Sequence, residues 1–411
     1  MKKSIFLAAL VLISAGCFAQ KNMVNQARNL AGAETPDFPG ARTAIKAALE
    51  NEETKDIANT WYVAGFIGYK EYEAEKFKTY MGQQCNVELA SNAILESIDY
   101  WNKAYELAQI PTIDKKGKEK FDTKTPKSIS PKIKDYFESQ MLLVAADHAA
   151  KEEKFAEAYK YALAHVNIPE MKVMQGEELV CDTLYYAFVC QTGLYAEACG
   201  LKDEAIAMFK RLDNEKAQST AKREVLTLAN KYIYQILMEK NDTTAAIASL
   251  ESSIQRFPDD EWFMQNMINL YINGGQEEKA IEYLDLAIQR DPEAGQYYNS
   301  KGSILALIGR YDEAFAAFAK ALELEPNNAN FYSTFGGAYI NKGNKLNEDA
   351  TYLDNAAYQA AKVNIDAAYT EAMKCYEKAY ELDPENYDVK RDLRSLYYRL
   401  GMNDKYEALK D

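Results

Sequence analysis

Along residues 295–328, apolar and small side chains recur three and four places apart, in two short runs that meet at Gly309. That spacing is the period of an amphipathic helix, so the pattern predicts two helices folded back on each other. In the first run Tyr298, Lys301/Gly302 and Leu305 fall on one face. In the second, Ala314, Phe318 and Ala321 form a small-large-small row. A glycine at 302 lets the second helix approach closely, because a side chain there would hold the axes apart. Gly309 ends the first helix and Pro326 stops the second, both ordinary stop signals. One such hairpin cannot bury its apolar face alone and needs neighbours to stack on it.

The neighbours are visible as columns. Asn241, Gly275, Gly309 and Gly343 stand 34 residues apart, as do Ala246, Ala280 and Ala314. Leu250, Leu284 and Phe318 keep the same step, and so do Pro258, Pro292 and Pro326. On these four columns the chain resembles the tetratricopeptide repeat family, whose unit is a helix-turn-helix of that length. The resemblance implies an all-α fold, a right-handed α-solenoid of about seven helix hairpins with a C-terminal capping helix.

Read in order, residues 20–55 form an N-terminal helical segment, broken by Pro36, Pro39 and Gly40. Residues 56–226 hold degenerate units. The first carries Trp61, Gly65 and Ala104, and an extra stretch near Glu71–Asn86 either separates its two helices or lengthens both. Residues 112–134 contain eight lysines with Pro126 and Pro131 and read as an exposed basic loop. Three regular repeats span 227–328. The repeat at 329–386 is too long: Pro326 and Pro384 lie 58 apart, one period plus an insertion of 24. Within it, 350–382 lacks Gly and Pro, which predicts a continuous helix of about 50 Å projecting as an arm. Residues 387–411, with Leu393, Tyr397 and Gly401, read as the polar cap that a repeat array needs.

Charge and candidate chemistry change this picture little. The start, with Lys2, Lys3 and an apolar run from Ile5 to Ile13, reads as a secretory leader over residues 1–19, cut after Ala19 to leave Gln20. The rival reading is lipidation of Cys17, but Ser14 occupies the place where lipoprotein leaders carry an aliphatic residue. No later stretch is long and apolar enough to span a bilayer. The formal charge is −14, and −16 without the leader's two lysines. Residues 257–411 carry −11 of it, which disfavours nucleic acid and anionic lipid as partners. No phosphate-binding loop, zinc motif, CxxC or calcium loop occurs, so no cofactor and no metal are expected. His148 and His165 read as packing or surface residues. Cys181, Cys190 and Cys199, nine apart on one expected helix, would be about 13 Å from each other along its axis and unable to bridge.

What remains is a binding surface. In proteins that this chain resembles, the concave face is lined by the first helix of each unit. Carried over, those positions are Lys231, Gln235 and Met238, then Trp262, Gln265, Asn266, Asn269 and Asn273. They continue as Gln296, Asn299 and Ser303, then Asn330, Ser333, Thr334 and Asn341. The row is rich in amides and hydroxyls within a strongly charged chain. The carboxylate clamp of chaperone-binding relatives is broken here: Lys231 and Asn266 fit it, but Gln235 stands for Asn, and Asn299 and Ser303 replace two cations. The expected function is a non-enzymatic, exported scaffold of the periplasm or outer envelope that captures an extended polypeptide or partner subunit. The alternatives are a structural subunit of an envelope complex, or a glycan-binding or enzyme-accessory protein.

Overall fold

The computed structural model describes residues 22–114 and 116–409. The leader expected over 1–19, with Cys17, lies outside the described residues. Helices dominate, and the chain divides into two compact units, one through Lys240 and one from Asn241.

The first unit opens with α1 (22–31) and α2 (Phe38–Glu50). Val24, Ala27 and Ala31 pack against Ala41, Ile45 and Ala48, and both helices bury against Val63 and Ile67. Next come α3 (Ala58–Tyr80) and α4 (Val87–Ala108), of 23 and 22 residues, so the extra stretch lengthens both arms of this hairpin. Gly65 and Gly68 are the reason two such long helices meet so closely. A Cβ on Gly65 would lie 2.4 Å from the Trp101 ring, and one on Gly68 only 2.5 Å from the Ala93 carbonyl oxygen. Close approach brings polar groups across the seam. Trp101 Nε1 donates to the Tyr62 carbonyl at 3.1 Å, and the Ser97 hydroxyl lies 2.9 Å from the Gly65 carbonyl. Arg42 of α2 ties the pair from outside, reaching Glu71 of α3 at 2.7 Å and Glu96 of α4 at 2.6 Å.

The basic stretch 112–134 is not a loop throughout. A two-residue hairpin pairs β1 (Thr112–Ile113) with β2 (Glu119–Lys120), and α5 (Lys124–Ser139) follows. The Asp122 carboxylate caps α5 by accepting from the Lys124 and Thr125 backbone N–H groups. Pro126 falls in the first turn, where a missing N–H costs nothing. Thr125, Ile129, Ile133 and Phe137 make a buried stripe that outweighs the interior Pro131. Four hairpin arms follow: α6 (Met141–Lys151), α7 (Phe155–Asn167), α8 (Thr183–Ala198) and α9 (Lys202–Lys210). Of the three cysteines expected on one helix, Cys190 alone lies inside α8; Cys181 precedes it and Cys199 caps its end. The unit closes with α10 (Glu215–Thr220) and α11 (Arg223–Glu239).

The second unit runs α12 (Thr243–Arg256), α13 (Glu261–Asn273), α14 (Glu277–Arg290), α15 (Gly295–Leu307) and α16 (Tyr311–Leu324). The packing columns are its core: Ala246, Ala280 and Ala314 are fully buried, as are Leu250, Leu284 and Phe318 to within 1%. The turn column is left-handed backbone at Asn241 (φ 57°), Gly275 (φ 64°) and Gly309 (φ 80°). Gly343 breaks the rule. Here α17 (Ala329–Ala350) continues straight through, and the glycine serves close approach instead, since a Cβ would lie 2.9 Å from the Tyr369 ring.

The uninterrupted helix expected over 350–382 is corrected accordingly. The chain turns at 351–354, where the Asp354 carboxylate accepts from Ala357 N–H, and α18 (Asn355–Leu382) begins only then. Nor is it a lone projecting arm. It lies on the extension of α17, burying Ala350, Ile365 and Tyr369 in one cluster. The Tyr369 hydroxyl donates to Asn344 Oδ1 at 2.6 Å across the seam. Finally α19 (Tyr387–Arg399) and α20 (Asn403–Ala408) fold around a left-handed Gly401 and add Leu393, Leu396 and Tyr397 to that cluster.

Candidate partner-binding face

Three expected groove residues, Lys231, Gln235 and Met238, lie on α11 in the first unit, with Gln235 exposed and Lys231 and Met238 half-buried. The others belong to the second unit. There Gln265, Asn269 and Asn273 of α13 are exposed, as are Gln296 and Ser303 of α15 and Asn330 and Asn341 of α17. Trp262, Asn266 and Ser333 are half-buried. Asn266 Nδ2 donates to the Trp262 carbonyl one turn back at 2.7 Å, which turns that amide onto its own helix.

Asn299 is a correction. It is buried, 8% exposed, and its Oδ1 accepts from the Thr334 hydroxyl at 2.6 Å. The amide thus joins α15 to α17 and has its acceptor occupied. A buried amide in a helix seam needs a partner within the protein, and a periodic sequence pattern does not distinguish that from a ligand contact.

Residues that the repeat positions did not pick out extend the face. Together with Asn341, which those positions did include, Asn344 of α17, Tyr369 of α18, and Asp392, Ser395 and Arg399 of α19 line a cleft of about 470 Å³. The Arg399 guanidinium stacks 4.2 Å from the centre of the Tyr369 ring, whose hydroxyl holds Asn344. The Tyr376 hydroxyl, 3.5 Å from Asp392 Oδ2, is pushed up to about 12 by burial and stays protonated. The cleft therefore offers amide and hydroxyl groups, the Asp392 carboxylate and one cation laid on an aromatic face. A signal for these residues existed. Gly401 lies one period plus the 58-residue step beyond Gly309, and the same offset carries Ser303 onto Ser395.

Among the described residues, no group of three or more His, Cys, Asp or Glu side chains is placed to hold a metal. No helix of the described residues is long and apolar enough to cross a membrane. Burial pushes the thiols of Cys190 and Cys375 up to about 11 and about 12, so neither is a ready nucleophile at neutral pH.

Family models for the tetratricopeptide repeat match residues 237–304, 295–328 and 368–386. No curated protein matches the chain. Similar solved structures include MamA from Desulfovibrio magneticus RS-1, 18% identical, covering 44% of this chain and 86% of that one at a TM-score of 0.32. They also include YrrB, a tetratricopeptide protein with an unusual peptide-binding site, 16% identical, covering 54% and 95% at 0.34. A third is a thermophilic tetratricopeptide protein of Thermus thermophilus, 19% identical, covering 52% and 99% at 0.31. With the repeat models falling in the register that the buried columns and left-handed turns define, the chain is a tetratricopeptide repeat protein.

Proposed function

We propose that this protein is a non-enzymatic, exported scaffold that binds an extended polypeptide along the first helices of its second unit. The observation that carries the reading is the exposed amide row on α13, α15 and α17, continued into the cleft at α19. An extended peptide loses water from its backbone N–H and C=O groups on binding, and each one left unpaired costs about 1–3 kcal/mol. Asn and Gln carry both a donor and an acceptor, so a row of them pairs with backbone whatever the peptide's side chains. The acidic surface makes nucleic acid a poor partner. The rival reading, a subunit of an envelope complex, draws on the turn between α17 and α18, where Tyr352 is 96% exposed.

The test is peptide display on the full chain, followed by binding of the selected peptides to Asn269→Ala combined with Asn341→Ala. Both side chains are exposed, so the melting temperature should hold while binding weakens by about tenfold, the size of two lost hydrogen bonds. Undiminished binding would move the surface elsewhere. N-terminal sequencing of the secreted product tests export: it should begin at Gln20, and a lipid-modified Cys17 would place the protein on a membrane surface.

A further inference from the structure

A second cleft, of about 420 Å³, opens in the first unit between α5, α7 and the segment entering α8. Such a volume is typical of small-molecule sites, roughly 300–1,000 Å³. Its walls mix apolar side chains with charged ones, and the apolar ones reach the surface, for Val180 is 77% and Leu184 48% exposed. At its inner end lies His165, only 2% exposed. The imidazole lies flat on Phe137, with ring centres 4.8 Å apart and planes within 9°, and Phe188 meets it edge-on at 6.4 Å. Its Nδ1 is buried with no hydrogen-bond partner. Nε2 is not among the fully buried unpartnered atoms, and the imidazole is part of the cleft's lining.

These facts fix what the cleft presents. A buried N–H without an acceptor is rarer in proteins than an unfilled lone pair, so the unpartnered Nδ1 favours the tautomer with its proton on Nε2. The floor is therefore a neutral donor, and burial keeps it neutral by holding the imidazole down at about 4. The mouth is acidic. Lys134 lies 4.0 Å from Glu138, which leaves the charges of Glu178 and Asp182 without a cation among the lining residues. Asp182 caps α8 by accepting from the Leu184 and Tyr185 N–H groups.

We propose that this cleft binds an aromatic amine. The ring would sit against Phe188 and Leu184, a ring hydroxyl would accept from His165 Nε2–H, and the ammonium would lie between Glu178 and Asp182. Carboxylate ligands are repelled by the same two acids. The chemistry could come from a free amine or from neighbouring tyrosine and lysine side chains of a peptide, so the probes are tyramine and acetyl-Tyr-Lys-amide.

The chain has two histidines, which makes the experiment self-referenced. In full-length protein labelled with ¹⁵N-histidine, millimolar tyramine should shift the His165 ring resonances saturably and leave the exposed His148 still. Phenol and ethylamine, each lacking one half of the ligand, should bind more weakly. Glu178→Gln should weaken tyramine by about two- to fivefold, the scale of an exposed ion pair. Leu184→Trp, at the exposed mouth, should abolish the shift with the fold intact. Binding of tyramine alone identifies a free amine as the source, and binding of the capped dipeptide as well identifies a peptide. Absence of any His165 shift with both probes, or an equal shift in Leu184→Trp, would overturn the proposal.

Discussion

Acidification should destabilise the first unit through one imidazole. His165 ordinarily titrates near 6.5, and burial in the fold lowers this to about 4. At pH 7 neither the folded nor the unfolded chain holds the proton. Below 6.5 the unfolded chain takes it and the folded chain refuses it, so stability falls as pH falls and stops falling near pH 4. Each unit of separation is worth 1.36 kcal/mol, so the whole window is worth about 3 kcal/mol. That is a large share of a total of roughly 5–15 kcal/mol for a typical domain. His165→Phe keeps the stack on Phe137 and removes the titration. Urea unfolding should be followed by tryptophan fluorescence in a Trp262→Phe background, where Trp61 and Trp101 report on the first unit alone. Carboxylates common to both chains cancel in the difference. The stability of His165→Phe relative to its parent should rise by about 3 kcal/mol between pH 7 and pH 4. Parallel pH profiles for the two chains would refute the reasoning.

Two further outcomes follow from the long hairpins. Gly68→Ala places a methyl 2.5 Å from the Ala93 carbonyl and the Ser97 hydroxyl, where backbone must yield. Overpacking of this kind costs about 1–3 kcal/mol, against roughly 1 kcal/mol gained in helix propensity, so the thermal midpoint should fall; a rise would mean that α3 and α4 separate freely. Deleting residues 344–367 removes Ala350 together with Ile365 and the Asn344–Tyr369 bond. Circular dichroism should show the helical array retained with a midpoint lowered by a few degrees, and global unfolding would make the extension part of the core.

The repeats themselves are legible because four kinds of residue are forced at once: a small crossing residue, a large one beside it, a left-handed turn and a helix stop. Gly343 shows the limit of that reading. It keeps the column but not the conformation, because a glycine that permits close approach looks in sequence like a glycine that permits a turn. In 112–134 the lysines obscure the start of a helical stripe, Thr125, Ile129 and Ile133, which continues to Phe137 and whose burial depends on partners distant in the chain. Amide chemistry points to the face on α13 to α17, yet it does not separate Asn299, committed to Thr334, from its exposed neighbours. The cleft at α19 has a periodic signal in the offset that carries Ser303 onto Ser395, but the reading of 387–411 as a cap masks it. His165 reads as a packing or surface residue, and its unpartnered Nδ1 is visible only once the rings around it are placed.

The paired growth of α17 and α18 has a mechanical side. By the register of α15 and α16, α17 would end at Asn341 and α18 would begin at Tyr369; instead they run to Ala350 and from Asn355. At 1.5 Å per residue these additions are about 14 Å and 21 Å long. Two packed helices resist bending far better than one, so a pull at Tyr352 travels along both without being absorbed in slack chain. It arrives at Tyr369, where the hydroxyl is tied to Asn344 and the ring is covered by Arg399. The hairpin is in effect a lever whose fulcrum is the wall of the α19 cleft, and tension on its tip strains the contacts that shape that cleft.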